Sequence, residues 1–299
     1  MQGKIIRGIG GFYYIHTSCG VYECRARGIF RKDNQKPLPG DRVRIDVLDE
    51  EKKEGSIREI LPRTNSLIRP AVANVDQAMV IFALASPKPN FNLLDRFLVM
   101  MEKQGLPALI CFNKKDLADQ ETVCRVEERY REAGYPLLFV SAAAGEGLDG
   151  IRKRLLGRTT TVAGPSGVGK SSLINLLQDN VRMETGAVSE KIERGRHTTR
   201  HTELLWVDED TYILDTPGFS SIDLIGVEKE ALGQYFPEIA ALEGQCRFAG
   251  CSHIAEPDCS VKAALEAGRI SAGRYEDYKA FYEELKESQR KGGRSCRIQ

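Results

Sequence analysis

The chain has 299 residues, with 43 Lys and Arg against 42 Asp and Glu, 41% apolar residues, 28 Gly and 8 Cys. At roughly 100 to 200 residues per domain this is material for two or three domains with sizeable cores, and it excludes a disordered, collagen-like or disulfide-dense chain. The most apolar run, residues 78–85, falls far short of the roughly 18 uncharged residues that a membrane-spanning helix needs.

The first residues, Met1-Gln2-Gly3-Lys4, carry no apolar leader, so the expectation is a cytoplasmic protein with no membrane partner. Cysteines in that compartment read as thiols or metal ligands rather than disulfides.

Residues 1–68 alternate short strand-like runs (11–15, 21–30, 41–48 and 55–61) with Gly- and Pro-containing turns. Val43, Ile45 and Val47 alternate with Arg42, Arg44 and Asp46, the period of a half-buried strand. The reading is a small β-barrel. Thirteen Lys and Arg against nine acids leave it at +4, which suits a barrel that binds oligonucleotides; a solvated cationic face fits nearly as well.

Residues 69–225 change to apolar strands each followed by an amphipathic helix, the pattern of a mostly parallel α/β sheet whose ligands sit at the strands' carboxyl ends. Residues 226–299 read as helical and polar, with a Cys/His cluster. The tail sets Lys286, Arg290, Lys291, Arg294 and Arg297 against Glu287 alone.

Chemistry concentrates in the α/β part. Gly164-Pro165-Ser166-Gly167-Val168-Gly169-Lys170-Ser171 fits G-x-x-x-x-G-K-[ST] between a strand and a helix that continues with Ser172. In such a loop the backbone N–H groups curl around phosphates, Lys170 reaches the β and γ oxygens, and the Ser171 hydroxyl ligates magnesium.

Asn113-Lys114-Lys115-Asp116 follows another strand and has the form N-K-x-D. A carboxylate at Asp116 accepts from both N1–H and the exocyclic amine of guanine, donors that adenine lacks in that arrangement. Asn113 ties the base edge to the phosphate loop, and the Lys114 stem covers the base. The segment containing Ser141 and Ala142 supplies a backbone N–H for the guanine carbonyl.

Asp215-Thr216-Pro217-Gly218 matches D-x-x-G, with Asp215 on magnesium through water and the Gly218 N–H on the γ-phosphate. Residues 181–200 read as a first switch loop in which Thr198, or alternatively Thr199, closes on magnesium. Phe219, where Ras-like enzymes carry the water-orienting glutamine, cannot do that work. His197 is the candidate in its place, with His201 close by. Candidate catalytic residues are therefore His197, Lys170 and Thr198.

Cys246-x4-Cys251-x-His253-x5-Cys259 offers three thiolates and an imidazole, which suits closed tetrahedral zinc; buried unligated thiols are the alternative. His16, Cys19 and Cys24 form a weaker second group without a fourth ligand. Tyr275, Tyr278, Phe281 and Tyr282 fall at helical spacing and read as packing.

The guanine motif precedes the phosphate loop here, so the GTPase order is circularly permuted. With barrel, permuted motifs and Cys/His cluster together, the chain resembles the circularly permuted small ribosomal subunit biogenesis GTPases of the YjeQ/YloQ family. The resemblance implies an N-terminal OB-fold at residues 1–68, a GTPase domain at 69–225 and a zinc-binding domain at 226–299. It implies Cys246, Cys251, His253 and Cys259 as zinc ligands and a catalytic role for His197. It also implies ribosome-stimulated GTP hydrolysis, in a monomer acting on 16S rRNA during late 30S maturation. The competing reading is an RNA-binding scaffold in which GTP only fixes domain orientation.

Overall fold

A computed structural model describes residues 1–26, 30, 36–67, 70–185, 202–208, 210–215 and 223–295. It divides into two units, taken separately below. One comprises residues 1–79, 147–163 and 170–219; the other comprises 80–146, 164–169 and 220–299.

The first unit opens with five strands: β1 (Gln2–Ile9), β2 (Phe12–Thr17), β3 (Gly20–Ala26), β4 (Arg42–Asp49) and β5 (Glu54–Ile60). They close into a barrel in the order β1-β2-β3-β5-β4, antiparallel except where β3 runs parallel to β5. Ile5, Ile15, Tyr22, Cys24, Val43 and Ile57 are fully buried inside it, and burial of this apolar area is what holds so small a barrel together. Strand β1 is absent from the sequence reading, because Gly3 and Gly8 interrupt it and Ile5-Ile6 does not alternate.

Val47 also departs from expectation. Val43 and Ile45 are buried as the alternation requires, but Val47, still in register opposite Gly55, is 38% exposed; the register of β4 with β5 shifts only after it, between Val47 and Asp49.

Beyond the barrel the strands are β6 (Ser66–Leu67), β7 (Val72–Ala73), β8 (Gln77–Ala83), β9 (Ala108–Asn113), β10 (Leu137–Phe139), β11 (Thr159–Ala163), β12 (Leu204–Asp208) and β13 (Thr211–Asp215). In the first unit β13 lies parallel to β11 and antiparallel to β12. Gln77, at the start of β8, donates to Thr160 Oγ1 on β11 at 3.0 Å. The helices Leu148–Leu155 and Lys170–Thr185 belong to the same unit.

In the second unit β10 pairs parallel to β9, and all six residues of β9 are buried. Two helices follow strands there. Phe91–Lys103 is capped by Asn90, whose Oδ1 accepts from the Leu93 N–H, and Gln120–Tyr130 by Asp119, whose Oδ1 accepts from Thr122.

The C-terminal part comprises the 3-10 turn Lys229–Tyr235 and the helices Pro237–Ala240, Ser260–Glu266 and Ala272–Ser295. Its core includes Val99, Phe236, Val261, Tyr275, Tyr278 and Phe281, so the aromatic spacing is packing, as read from the sequence. Among the described residues no helix is long and apolar enough to cross a membrane.

A buried ionic cluster seats this part on the helix Phe91–Lys103. Arg274 Nη1 meets Asp95 Oδ1 at 2.7 Å, and its Nε and Nη2 meet the Glu238 carboxylate at 2.6 and 3.0 Å. Arg129 Nη2 bridges Asp95 and Asp277 at 2.9 and 2.5 Å.

Candidate nucleotide and metal sites

Strand β9 ends in the buried Asn113, whose amide does two jobs. Its Nδ2 donates to the Val168 carbonyl at 2.8 Å, and its Oδ1 accepts from the Ala142 N–H at 3.0 Å. The N-K-x-D segment, the phosphate-loop sequence and the Ser141-Ala142 segment thereby meet on one side chain. Because the Ala142 N–H is already engaged, any further acceptor approaching there shares or replaces the Asn113 acceptor.

Lys114 adopts a left-handed backbone, with φ 61°. Its Nζ donates to the Gly167 carbonyl at 2.8 Å and to the Ser86 carbonyl. That stretches the aliphatic stem across the space beside the loop. Asp116 Oδ1 accepts from the Ser141 hydroxyl at 2.5 Å, and Ser141 Oγ also takes the Ala144 N–H at 3.1 Å. A carboxylate held by a fully buried serine has its orientation fixed before any ligand arrives.

Two glycines of the loop are required by space as well as by backbone. Gly164 has φ +139°, and a Cβ there would lie 2.1 Å from the Ile81 carbonyl oxygen; Gly169 has φ +91°, and a Cβ would lie 2.3 Å from Asn113 Nδ2. The intervening Pro165, Ser166, Gly167 and Val168 lie in the second unit with them. Lys170, Ser171 and Ser172 open the helix Lys170–Thr185 in the first unit.

Asp215 closes β13 and pairs in register with Val162 of β11, two residues before Gly164. Lys115 begins a short 3-10 turn. His197, Thr198, Thr199, His201, Gly218 and Phe219 lie outside the described residues.

Cys246, Cys251, His253 and Cys259 place their four ligand atoms within 4.8 Å of one another. Cys246 Sγ lies 3.5 Å from His253 Nδ1 and 3.8 Å from Cys259 Sγ, which is itself 3.4 Å from that nitrogen. A tetrahedral ion with metal–sulfur and metal–nitrogen bonds near 2.3 and 2.0 Å has ligand–ligand edges of about 3.5 to 3.8 Å, so the group fits a metal ion of that kind.

The backbone of the knuckle is fixed from outside. Tyr275 and Tyr278 donate their hydroxyls to the His253 and Ser252 carbonyls at 2.7 and 2.9 Å, and Glu256 accepts from Ser252 Oγ at 2.7 Å. Burial holds His253 below the usual histidine range, toward the neutral imidazole that a metal needs.

The second group read from the sequence is not assembled. His16 Nδ1 meets Tyr212, Cys24 is inside the barrel and Cys19 is exposed. Cys111 is a core thiol, pushed up to about 12 by burial. Sequence reasoning missed the Arg274–Asp95–Glu238 cluster. The available signal was Asp95, which falls beside Leu94 and Leu98 on the apolar stripe of its helix.

Comparison with known proteins follows the same lines. A family model described as RsgA GTPase matches residues 60–225, and one described as RsgA N-terminal domain matches residues 2–57. The chain is 59% identical to the small ribosomal subunit biogenesis GTPase RsgA of Agathobacter rectalis, over 97% of this chain and 100% of the relative. It is 45% identical to the protein of that name from Alkaliphilus metalliredigens, over 97% and 99%.

Among solved structures it is similar to YloQ, a circularly permuted GTPase, with TM-score 0.79 and 39% identity over 96% of this chain and 95% of that one. It is similar also to YjeQ from Thermotoga maritima, with TM-score 0.80 and 35% identity over 95% and 98%.

Proposed function

The chain belongs to the RsgA family of GTPases, and on that premise we propose that Asn113, Lys114 and Asp116 read guanine while the loop 164–169, with Lys170, Ser171 and Ser172, holds the phosphates. The protein is a GTP-hydrolysing enzyme of small ribosomal subunit biogenesis, cytoplasmic and acting as a monomer. The observation that supports guanine binding is the double hydrogen bond of Asn113, which fixes the base-reading segment against the loop.

Hydrolysis needs a nucleophile, charge stabilisation and positioning, and phosphoryl transfer draws mostly on the last two. Lys170 and the loop N–H groups face the charge that develops on the β and γ oxygens. Magnesium, when bound with the nucleotide, neutralises part of that charge. Ser171, Asp215 and Thr198 are the oxygen donors that such a hard cation takes. His197 accepts a proton from water and orients it, a job Phe219 cannot do.

Zinc in the Cys246, Cys251, His253 and Cys259 set is structural, since four protein ligands leave no open position. The cationic barrel and tail contact 16S rRNA phosphates, and contact accelerates turnover on the immature 30S particle.

The test is GTP hydrolysis with and without purified small subunits, together with competition between guanine, adenine and xanthine triphosphates. Stimulation is expected, with guanine preferred in the parent. Asp116→Asn should shift preference toward xanthine by at least about tenfold. Equal affinity for GTP and ATP would remove the guanine assignment, and subunits that bind without raising turnover would make the protein a scaffold.

A further inference from the structure

The barrel is joined to the hairpin β12–β13 along a seam that the sequence does not announce. At one end Arg7 of β1 forms an isolated antiparallel bridge with Glu203, the residue before β12, and Arg7 Nη1 lies 3.4 Å from Glu203 Oε1. Farther along, His16 Nδ1 lies 2.8 Å from the Tyr212 hydroxyl, and the His16 ring is 4.8 Å from Trp206, which pairs with Tyr212 across the hairpin. Lys4 Nζ donates to Thr159 Oγ1 at 2.9 Å and sits 4.2 Å over the Tyr212 ring.

The register of the hairpin gives this seam its meaning. Leu204 pairs with Leu214, so Glu203 is at the open end of the hairpin, beside Asp215. Arg7 Nε is buried and has no hydrogen-bond partner, a donor to spare at that open end.

We propose that Arg7 and His16 are positioning residues for the particle-stimulated step of GTP hydrolysis, not for the basal one. They hold the open end and the body of the hairpin, so that a load on the barrel is passed to the end of β13, where Asp215 stands. The inference rests on the ribosome-stimulated GTPase reading given above. It adds the route by which a particle bound at the barrel changes the rate.

The experiment uses the full chain, purified small subunits and GTP, with the variants Arg7→Glu, Glu203→Arg, their combination, and Tyr212→Phe. Each single variant is expected to keep GTP affinity, unstimulated rate and half-saturating subunit concentration within about twofold. The maximal stimulated rate should fall by at least about fivefold, the lower end of measured coupling between sites. The combined charge swap should regain at least half of the loss.

An unchanged maximal rate, or a loss confined to the half-saturating concentration, overturns the proposal, because a residue that merely touched RNA would act on affinity. A swap that rescues nothing, with Tyr212→Phe also silent, overturns it equally. If the parent is not stimulated at all, the underlying reading falls and this inference with it. A stimulated parent with indifferent variants removes the inference alone.

Discussion

In the C-terminal part Arg274 is 1% exposed and Asp95 0%, and they meet at 2.7 Å. In the barrel seam Arg7 and Glu203 keep 28% and 34% of their side-chain exposure at 3.4 Å. Both pairs join distant stretches of chain, yet they differ in what breaking them does. Removing one partner of a buried cluster leaves a charge in low dielectric with nothing to balance it, whereas an exposed pair exchanges its partner for water at little loss. The C-terminal part is therefore fixed to its helix by charges that cannot lose a partner cheaply, while at the Arg7–Glu203 end of the seam water can take a partner's place.

The hardest break in this contrast is metal removal. Chelation should release about one zinc per chain and unfold the C-terminal region, since ligand binding and folding share one free energy there. Guanine nucleotide affinity should stay within about twofold. Metal analysis with circular dichroism and nucleotide titration checks this, and a region that stays folded without metal would make the ionic cluster the main support.

Next in size is Arg274→Ala, which strands Glu238, leaves Arg129 to balance Asp95 and should lower stability by about 3–5 kcal/mol in urea unfolding. Arg7→Ala should lower it by less than about 1 kcal/mol in the same assay. Equal losses would erase the distinction between the two regions.

Effects of pH come last, confined to two narrow windows and opposite in sign. Burial first, then Arg42, lowers Lys4 from 10.5 to about 8. The folded state thus disfavours the charged amine, so this contribution is present above 10.5 and is lost as pH falls through about 8. Asp277 is raised from 3.8 to about 6 by burial and then by Asp95. Its contribution is fully present below 3.8 and is lost as pH rises through about 6. Stability differences between the parent and Lys4→Met, or the parent and Asp277→Asn, should slope in those two windows and be flat between them. Taking differences cancels metal loss in acid.

These two regions also mark what the sequence could disclose. The convergence of Asn113 with Val168 and Ala142 follows from motifs each only a few residues long, and the four ligand atoms of the cysteine cluster come from 14 consecutive residues. Such groups are readable because local spacing is most of their geometry. Arg274 and Asp95 are 179 positions apart, and Arg7 and Glu203 are 196. Nothing in a periodicity announces a partner at that distance. Strand β1 was hidden by its own glycines, and Val47 is exposed although the alternation places it with the buried Val43 and Ile45.

One of those local groups constrains how this enzyme can change. The space that a side chain at Gly169 would take is already filled by the amide of Asn113, 2.3 Å from where a Cβ would stand. Altering the loop there displaces the Asn113 amide, so, on the proposed assignment, an error in gripping phosphate becomes an error in choosing the nucleotide. Natural drift at the two positions is thereby tied, although the permuted chain sets them more than fifty residues apart. An attempt to retune this GTPase toward another base has to redesign both together, and a library that varies either one alone samples mostly inactive proteins.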